Sequence, residues 1–307
     1  MRAVVTTGDR QRPTRLIEVG EPTPGPGEVL VRVRAIGINR GELTRAERLP
    51  AGSRLGWDIL GTIEDAGADG PAHSRAVVAL ARGDGWADRV AVPRRDVAVI
   101  DDPGTAVDLA ALPVAGLTAL AAIRRAGPII GRTVLVTGTS GGVGGVLAQL
   151  AHTAGAEVLS VRHRFTGTGL EITGAGLDVV SPEGEPAAPR PVDVVFDSVG
   201  GPTLQAAFEL LKPRGVLVSF GNTVRAPLEL PVDWGHRRPG VSLSYVNLFD
   251  ELDAGIGAAD DLLWLGRRWA AGDLSLAVHR TGPLDTLDDT LSALRERTFH
   301  GKAVLHW

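Results

Sequence analysis

Short apolar runs rich in β-branched residues, each closed off by glycine or proline, fill roughly the first hundred positions of the chain. "MRAVVTT" and "EVLVRVRAIGIN" are two such runs, and "GEPTPGPGE" between them forces turns and bars regular pairing. "ILGTIEDAG", "RAVVALA" and "WADRVAVP" continue the pattern, which predicts a compact, barrel-like β domain. From Leu112 the spacing changes. "LPVAGLTALAAIRRAG" carries its apolar residues at helical intervals until Gly127 and Pro128 stop it. Strands and helices then alternate. "TVLVTG" is a buried strand, "GGVGGVLAQLAHTAG" a helix and "AEVLSVRH" the next strand. A weaker helix around "GLEITGAG" leads to the short strand "DVV". "PVDVVFDSVG" is a strand, "PTLQAAFELLKP" a helix, "GVLVSFG" a strand and "GVSLSYVNLF" the last strand of the series. This alternation predicts a parallel, doubly wound sheet. "AADDLLWLGRRWAAG" follows as an amphipathic helix and "FHGKAVLHW" as a closing strand. There are no internal repeats, and "SPEGEPAAPRP" is a surface link between two sheet strands.

Composition narrows the function classes. At 307 residues two domains are expected, and 44% apolar with 22% charged residues is an ordinary globular balance. A net charge of −4 gives no pull toward nucleic acid or an anionic membrane. The chain has no cysteine, which excludes disulfides, thiolate zinc sites, iron–sulfur clusters and a cysteine nucleophile. "MRAVVTTGDR" is too short an apolar run for a signal peptide, and the most apolar helix meets arginines before it could span a bilayer, so a cytoplasmic location is expected.

The stretch "VLVTGTSGGVGGVLAQLA" carries the chemistry. A dinucleotide needs a tight turn after a strand, a residue without a side chain where backbone meets pyrophosphate, and a small residue where helix and strand pack. Gly138 eases the turn, Thr139 replaces the first glycine of G-x-G-x-x-G, Gly141 stands at the close approach and Gly144 at the packing position. Gly142 and Val143 lie between them, and Ser140 with Thr139 adds hydroxyl donors beside the positive helix end. About twenty residues on, where NAD-binding proteins place an acid, stand Arg162, His163 and Arg164. Guanidinium groups bind a 2′-phosphate that a carboxylate would repel, so NADPH is the expected cofactor.

"EPTPGPGEVLVRVRAIGIN", "LPVAGLTAL", "VLVTGTSGGVGGVLAQLA", "DVVFDSVGG", "LLKPRGVLVSFGN" and "HGKAVL" occur in the order and spacing of the medium-chain dehydrogenase/reductase superfamily. Over nearly its whole length the chain resembles the zinc-independent, quinone-reductase-like branch. The resemblance implies an α/β protein: a GroES-like β-rich catalytic domain from residues 1–113 and 250–307, and a Rossmann doubly wound parallel sheet over 114–249 with NADPH in the cleft between them. Zinc-dependent members carry a catalytic cysteine and histidine where this chain has Asn39 and Trp57. His73, His152, His163, His236, His279, His300 and His306 show no ligand spacing, and no metal is expected.

The resemblance also implies that Asn39 lies beside the nicotinamide ribose and Thr118 near the nicotinamide. Backbone of the turn from Ser219 through Phe220 and Gly221 to Asn222 is implied to meet the carboxamide, with Ser198 and Asn247 completing the cofactor set. Asn39, Arg40, Thr44 and Trp57 are the candidate catalytic residues, with Glu42 and Arg45 beside them. Some relatives place a tyrosine where this chain has Thr44, and the one tyrosine here, Tyr245, falls in the last sheet strand, so water is the expected proton source. Without a metal as Lewis acid, an acceptor must delocalise its own charge, which favours quinones and α,β-unsaturated carbonyls over simple ketones. Relatives join two sheets through the strand in "GVSLSYVNLF", so a homodimer is expected. Two rival readings keep this fold: a secondary-metabolism enoyl reductase or cyclase, and a non-catalytic NADPH sensor or structural protein.

Overall fold

The computed structural model describes residues 1–66, 74–101, 104, 106–161, 164–166, 169–171, 179–180, 186–255 and 257–307. The chain divides into two compact units, Met1–Leu117 with Ile256–Trp307, and Thr118–Gly255.

The first unit is built on the strand Glu28–Ile38, whose alternating burial reflects the period-two run "EVLVRVRAIGI". It pairs antiparallel with Asp58–Asp65, with Arg89–Pro93 and, at its far end, with Lys302–His306. Ala76–Leu80 and Val97–Val99 extend the sheet on one side and Val278–Pro283 on the other, while Arg2–Thr6 and Thr14–Glu18 form a separate antiparallel pair. Inward residues Val29, Val31, Val33, Ile36, Ile59, Ile63 and Trp86 make the core. The helix Leu287–Glu296 closes it with Leu287, Leu291 and Leu294, one helical stripe. The helix Ala259–Ala270 packs on Val97–Val99 and Ala76–Leu80. This is the GroES-like architecture that the resemblance implies.

The second unit is a seven-stranded sheet in the order Pro186–Ala187, Val179–Val180, Glu157–Val161, Thr133–Val136, Val192–Asp197, Leu211–Ser219, Ser242–Tyr245. The last five strands run parallel. Thr133–Val136 is buried at every position, as a strand covered on both faces must be. The helices Gly142–Thr153 and Gly201–Phe208 follow the strands that precede them, completing the doubly wound pattern.

Three expectations need correction. The sheet is not parallel throughout, because Val179–Val180 pairs antiparallel with both of its neighbours. Gly169–Glu171, expected in the weaker helix, is instead a strand paired antiparallel with Arg164–Thr166. Threonine, phenylalanine and glycine in "RFTGTGLE" favour a hairpin over a helix; the remainder of that expected helix lies outside the described residues. The helix expected to run to Pro213 ends at Phe208, and a strand starts at Leu211. Pro213 bars the helical conformation for the residue before it. The helices Arg40–Ala46 and Leu287–Glu296 were not foreseen. The stretch Asp108–Ala126 is long and apolar enough to cross a membrane by length and composition, yet 72% of its most apolar window is buried within the protein.

Candidate functional site

The second unit gathers its special residues at the carboxyl ends of its parallel strands. Thr133–Val136 runs into Gly138, whose φ of +71° is open to glycine and strained for any other residue. Ser198 takes up the space above it: a Cβ on Gly138 would lie 2.4 Å from Ser198 Oγ. The helix Gly142–Thr153 then starts from Gly141, which is extended and gives no side-chain cap. Its first-turn N–H groups have no partners within the helix and suit an anion. A Cβ on Gly144 would sit 2.3 Å from the Gly138 carbonyl oxygen, so the missing side chain is what lets the helix close onto the turn. The cradle fits a pyrophosphate.

A buried carboxylate stands behind this turn. Asp197 accepts the Thr137 hydroxyl at 2.6 Å, the Gly200 N–H at 3.0 Å and the Val199 N–H at 3.4 Å. Burial raises its carboxyl above the usual range, against the pull of those donors. Thr137 Oγ1 in turn accepts the Ser198 N–H at 3.2 Å, and the Phe220 N–H bonds the Asp197 carbonyl at 2.9 Å. Three strand ends are thereby tied together. Asp197 and Thr137 escaped the sequence reading, although both stand in motifs it singled out.

The other expected cofactor residues are placed as follows. Phe220 and Gly221 form the turn after Leu211–Ser219, with Gly221 lying against Ser198. Asn222 folds its amide onto its own turn, donating to the Ala226 carbonyl at 2.7 Å and accepting the Ala226 N–H at 3.2 Å. Asn247 accepts the Phe249 N–H and caps the helix Leu248–Asp253. Thr118 is buried on the helix Leu112–Ala126. Arg164 opens the short strand Arg164–Thr166, while Arg162 and His163 lie outside the described residues.

In the first unit Asn39 sits at the centre of a buried polar cluster. It ends the strand Glu28–Ile38 and starts the helix Arg40–Ala46, where Glu42 Oε2 accepts its backbone N–H at 2.8 Å as in a capping box. Its Nδ2 donates to Asp58 Oδ2 at 2.8 Å and to Glu42 Oε2 at 3.1 Å, and its Oδ1 accepts from Lys302 Nζ. Lys302 Nζ also donates to Asp58 Oδ2 at 2.6 Å. Glu42 Oε1 accepts the Trp57 N–H at 2.7 Å, and Asp58 Oδ1 the Val114 N–H at 2.8 Å. Both amide protons of Asn39 are committed, so toward a ligand it can only accept. Asp58 and Lys302 were missed by the sequence reading; the signals were "GWD" and one of only two lysines in the chain.

Burial, and then the charge of Asp58, push the Glu42 carboxyl up to about 8, against the pull of the Asn39 N–H, Lys302 and the Trp57 N–H. The folded protein thus holds a proton that an unfolded chain, with its carboxyl near 4.5, has released. With more protons bound in the folded state, stability falls as pH rises toward 8. His300, held below its usual 6.5 by burial and then by His279, is silent in the upper part of that range. Urea unfolding from pH 6.5 to 8 is expected to show a loss of up to about 1.4 kcal/mol per pH unit, and Glu42→Gln should flatten it. An equally steep slope in the Gln variant would refute this assignment.

The remaining candidate catalytic residues make the following contacts. Arg40 donates to the Leu294 carbonyl at 3.2 Å, and the Thr44 hydroxyl returns to the Arg40 carbonyl at 3.3 Å. Trp57 packs across Gly41, where a Cβ would lie 2.7 Å from the indole, and the Arg45 guanidinium stands 5.9 Å from the ring centroid.

Comparison with known proteins matches residues 25–102 to the alcohol dehydrogenase GroES-like domain and residues 172–305 to the zinc-binding dehydrogenase family. The human synaptic vesicle membrane protein VAT-1 homolog is 27% identical over 321 residues, covering 92% of this chain and 80% of that protein. Its rat counterpart is 31% identical over 217 residues, 65% of this chain, and there the chain spans about half (53%) of the relative. Acryloyl-coenzyme A reductase of Metallosphaera sedula is 29% identical over 259 residues, 72% of this chain and 77% of that enzyme. The quinone oxidoreductase structure from Coxiella burnetii superposes with a TM-score of 0.78 over 100% of this chain and 99% of that one; at 22% identity the likeness is one of fold. The zinc in the second family's description does not suit the residues here. Trp57 offers no ligand atom, and the ammonium of Lys302 already bonds the oxygens of Asn39 and Asp58.

Proposed function

The chain belongs to the medium-chain dehydrogenase/reductase superfamily, in its zinc-independent, quinone-oxidoreductase-like branch of nicotinamide-dependent oxidoreductases, and from that premise we propose an NADPH-dependent reductase of quinones or α,β-unsaturated carbonyls. The observation that carries this reading is the glycine cradle, where the absence of side chains at Gly138 and Gly144 lets helix and turn close into an anion site. The coenzyme, when bound, supplies the hydride. The cradle N–H groups would hold its pyrophosphate, and Arg162 and Arg164 its 2′-phosphate. In this reading Asn39 and Trp57, which stand where zinc-dependent members place their cysteine and histidine, leave the acceptor to spread its developing charge through conjugation, and water supplies the proton.

Titration calorimetry tests the coenzyme choice. Arg162→Ala with Arg164→Ala is expected to weaken NADPH binding by about tenfold to a hundredfold while leaving NADH within about twofold. Equal losses for both coenzymes would overturn the NADPH assignment.

The pathway-enzyme alternative draws support from the likeness to an acryloyl-coenzyme A reductase. NADPH oxidation across quinones, enones and enoyl thioesters separates the two, and binding without oxidation of any would favour a sensor. We also propose a cytoplasmic homodimer. Ser242–Tyr245 is the edge of the parallel sheet and exposes Leu243 and Tyr245, the kind of edge that recruits a second chain. Light scattering at micromolar concentration is expected to give twice the chain mass of 32.0 kDa; a monomer mass would exclude the dimer.

A further inference from the structure

Residues 197–200, at the end of the strand Val192–Asp197, lie between two other loops of the second unit. On one side they grip the glycine cradle. Asp197 Oδ1 accepts the Thr137 hydroxyl at 2.6 Å, and the Ser198 N–H donates to that same hydroxyl at 3.2 Å. The Ser198 hydroxyl covers Gly138 and donates to the Thr137 carbonyl at 3.4 Å. On the other side residues 197–200 hold the turn that follows Leu211–Ser219. The Phe220 N–H donates to the Asp197 carbonyl at 2.9 Å and the Val224 N–H to the Val199 carbonyl at 3.0 Å. The Ser198 carbonyl accepts both the N–H and the hydroxyl of Thr223, at 3.2 and 2.9 Å. Asp197 Oδ2 takes the Gly200 N–H at 3.0 Å, and a Cβ on Gly200 would lie 2.3 Å from Asn222 Oδ1, so the glycine held by the carboxylate is also packed on the turn.

Asp197 and Thr137 are both fully buried. A carboxylate loses its water there, and holding a single N–H would need no charge. Its two oxygens instead serve different elements, Oδ1 the residue that enters the cradle and Oδ2 the glycine that meets the turn. Bonds to a charged acceptor are the strong ones, and a buried network with its partners in place is rigid. A shift of the cradle is thereby passed to the turn. We propose that Asp197 is a positioning residue that couples the two, so that a pyrophosphate seated at the start of the helix Gly142–Thr153 orders residues 220–224 from a distance. This rests on the functional reading above, which seats a pyrophosphate in that cradle.

The test uses 2′-phospho-ADP-ribose, which carries the phosphates of NADPH and lacks the nicotinamide, on the parent and on Asp197→Asn, Thr137→Val and Thr137→Ser. Calorimetry gives its affinity, and amide hydrogen exchange with and without it gives the response of the turn, read against amides of the strand Glu157–Val161. In the parent, saturation is expected to slow exchange at Thr223 and Val224 at least about fivefold beyond any slowing of that strand. Asp197→Asn replaces one acceptor oxygen by a donor, and Thr137→Val removes the hydroxyl. In both, affinity should fall about tenfold and the extra slowing should shrink below about twofold at saturation. Thr137→Ser keeps the hydroxyl and should respond as the parent does. Should Asp197→Asn fail to fold, the two Thr137 variants decide. A parent turn that ignores the bound probe, or a turn in Thr137→Val that responds as fully as in the parent, would overturn the proposal and leave Asp197 a local brace. If the parent binds neither the probe nor NADPH, the functional reading itself falls and takes the coupling with it.

Discussion

Lys302→Met is expected to destabilise the first unit by about 3–5 kcal/mol, a large part of the roughly 5–15 kcal/mol that holds a typical domain. The lysine is 5% exposed, and its partner Asp58 is wholly enclosed. Methionine fills most of the same space, so the cost is electrostatic: Asp58 is left charged beside a second buried carboxyl, Glu42, with only N–H donors to compensate. Solvating that charge draws water into the core and weakens the packing around Ile38 and Ile59. Urea denaturation monitored by tryptophan fluorescence measures the loss, and a change smaller than about 1 kcal/mol would show that the cluster tolerates an unpaired charge.

The second large effect is expected at the glycine cradle. Gly144→Ala places a methyl group 2.3 Å from the Gly138 carbonyl oxygen, well inside van der Waals contact. Neither group can rotate away, since one is fixed to a helix backbone and the other to the turn it packs on. The helix must shift relative to the strand, and its N-terminal donors move off the phosphate position. Coenzyme affinity is expected to fall by about a hundredfold or more, or roughly 3 kcal/mol, with a loss of thermal stability alongside. Gly141→Ala is the informative companion. Gly141 has an ordinary φ of −88°, and a Cβ there would come only to 3.2 Å from the same oxygen. That variant should fold almost normally yet bind coenzyme less well, because its methyl group projects at the close-approach position. Normal binding by both variants, measured by calorimetry, would remove the cradle from the coenzyme site.

The cradle was legible because its parts are adjacent in the chain. Gly138, Gly141 and Gly144 fall within seven positions, between a strand and a helix whose apolar spacing is unmistakable. The doubly wound order and the β-rich start were legible for the same reason, since each strand or helix carries its own period. Where local preferences conflict, legibility fails. "GLEITGAG" reads as a weak helix by apolar spacing, but the threonines and glycines of "RFTGTGLE" favour the antiparallel pair that forms between Arg164–Thr166 and Gly169–Glu171.

Sequence alone therefore determined the α/β class, the glycine turn and the cysteine-free composition, because all of these are written in neighbouring residues or in residue counts. Only the tertiary structure decided that Asn39 gives both amide protons to carboxylates and its oxygen to Lys302, a residue 263 positions away. It likewise gave Arg40, Thr44 and Asn222 their hydrogen-bond partners and placed Asp58 and Asp197 as buried acceptors. Such partners meet when strands from the two ends of the chain pair in one sheet, as Lys302–His306 does with Glu28–Ile38, and no local period records which side chains that pairing brings face to face.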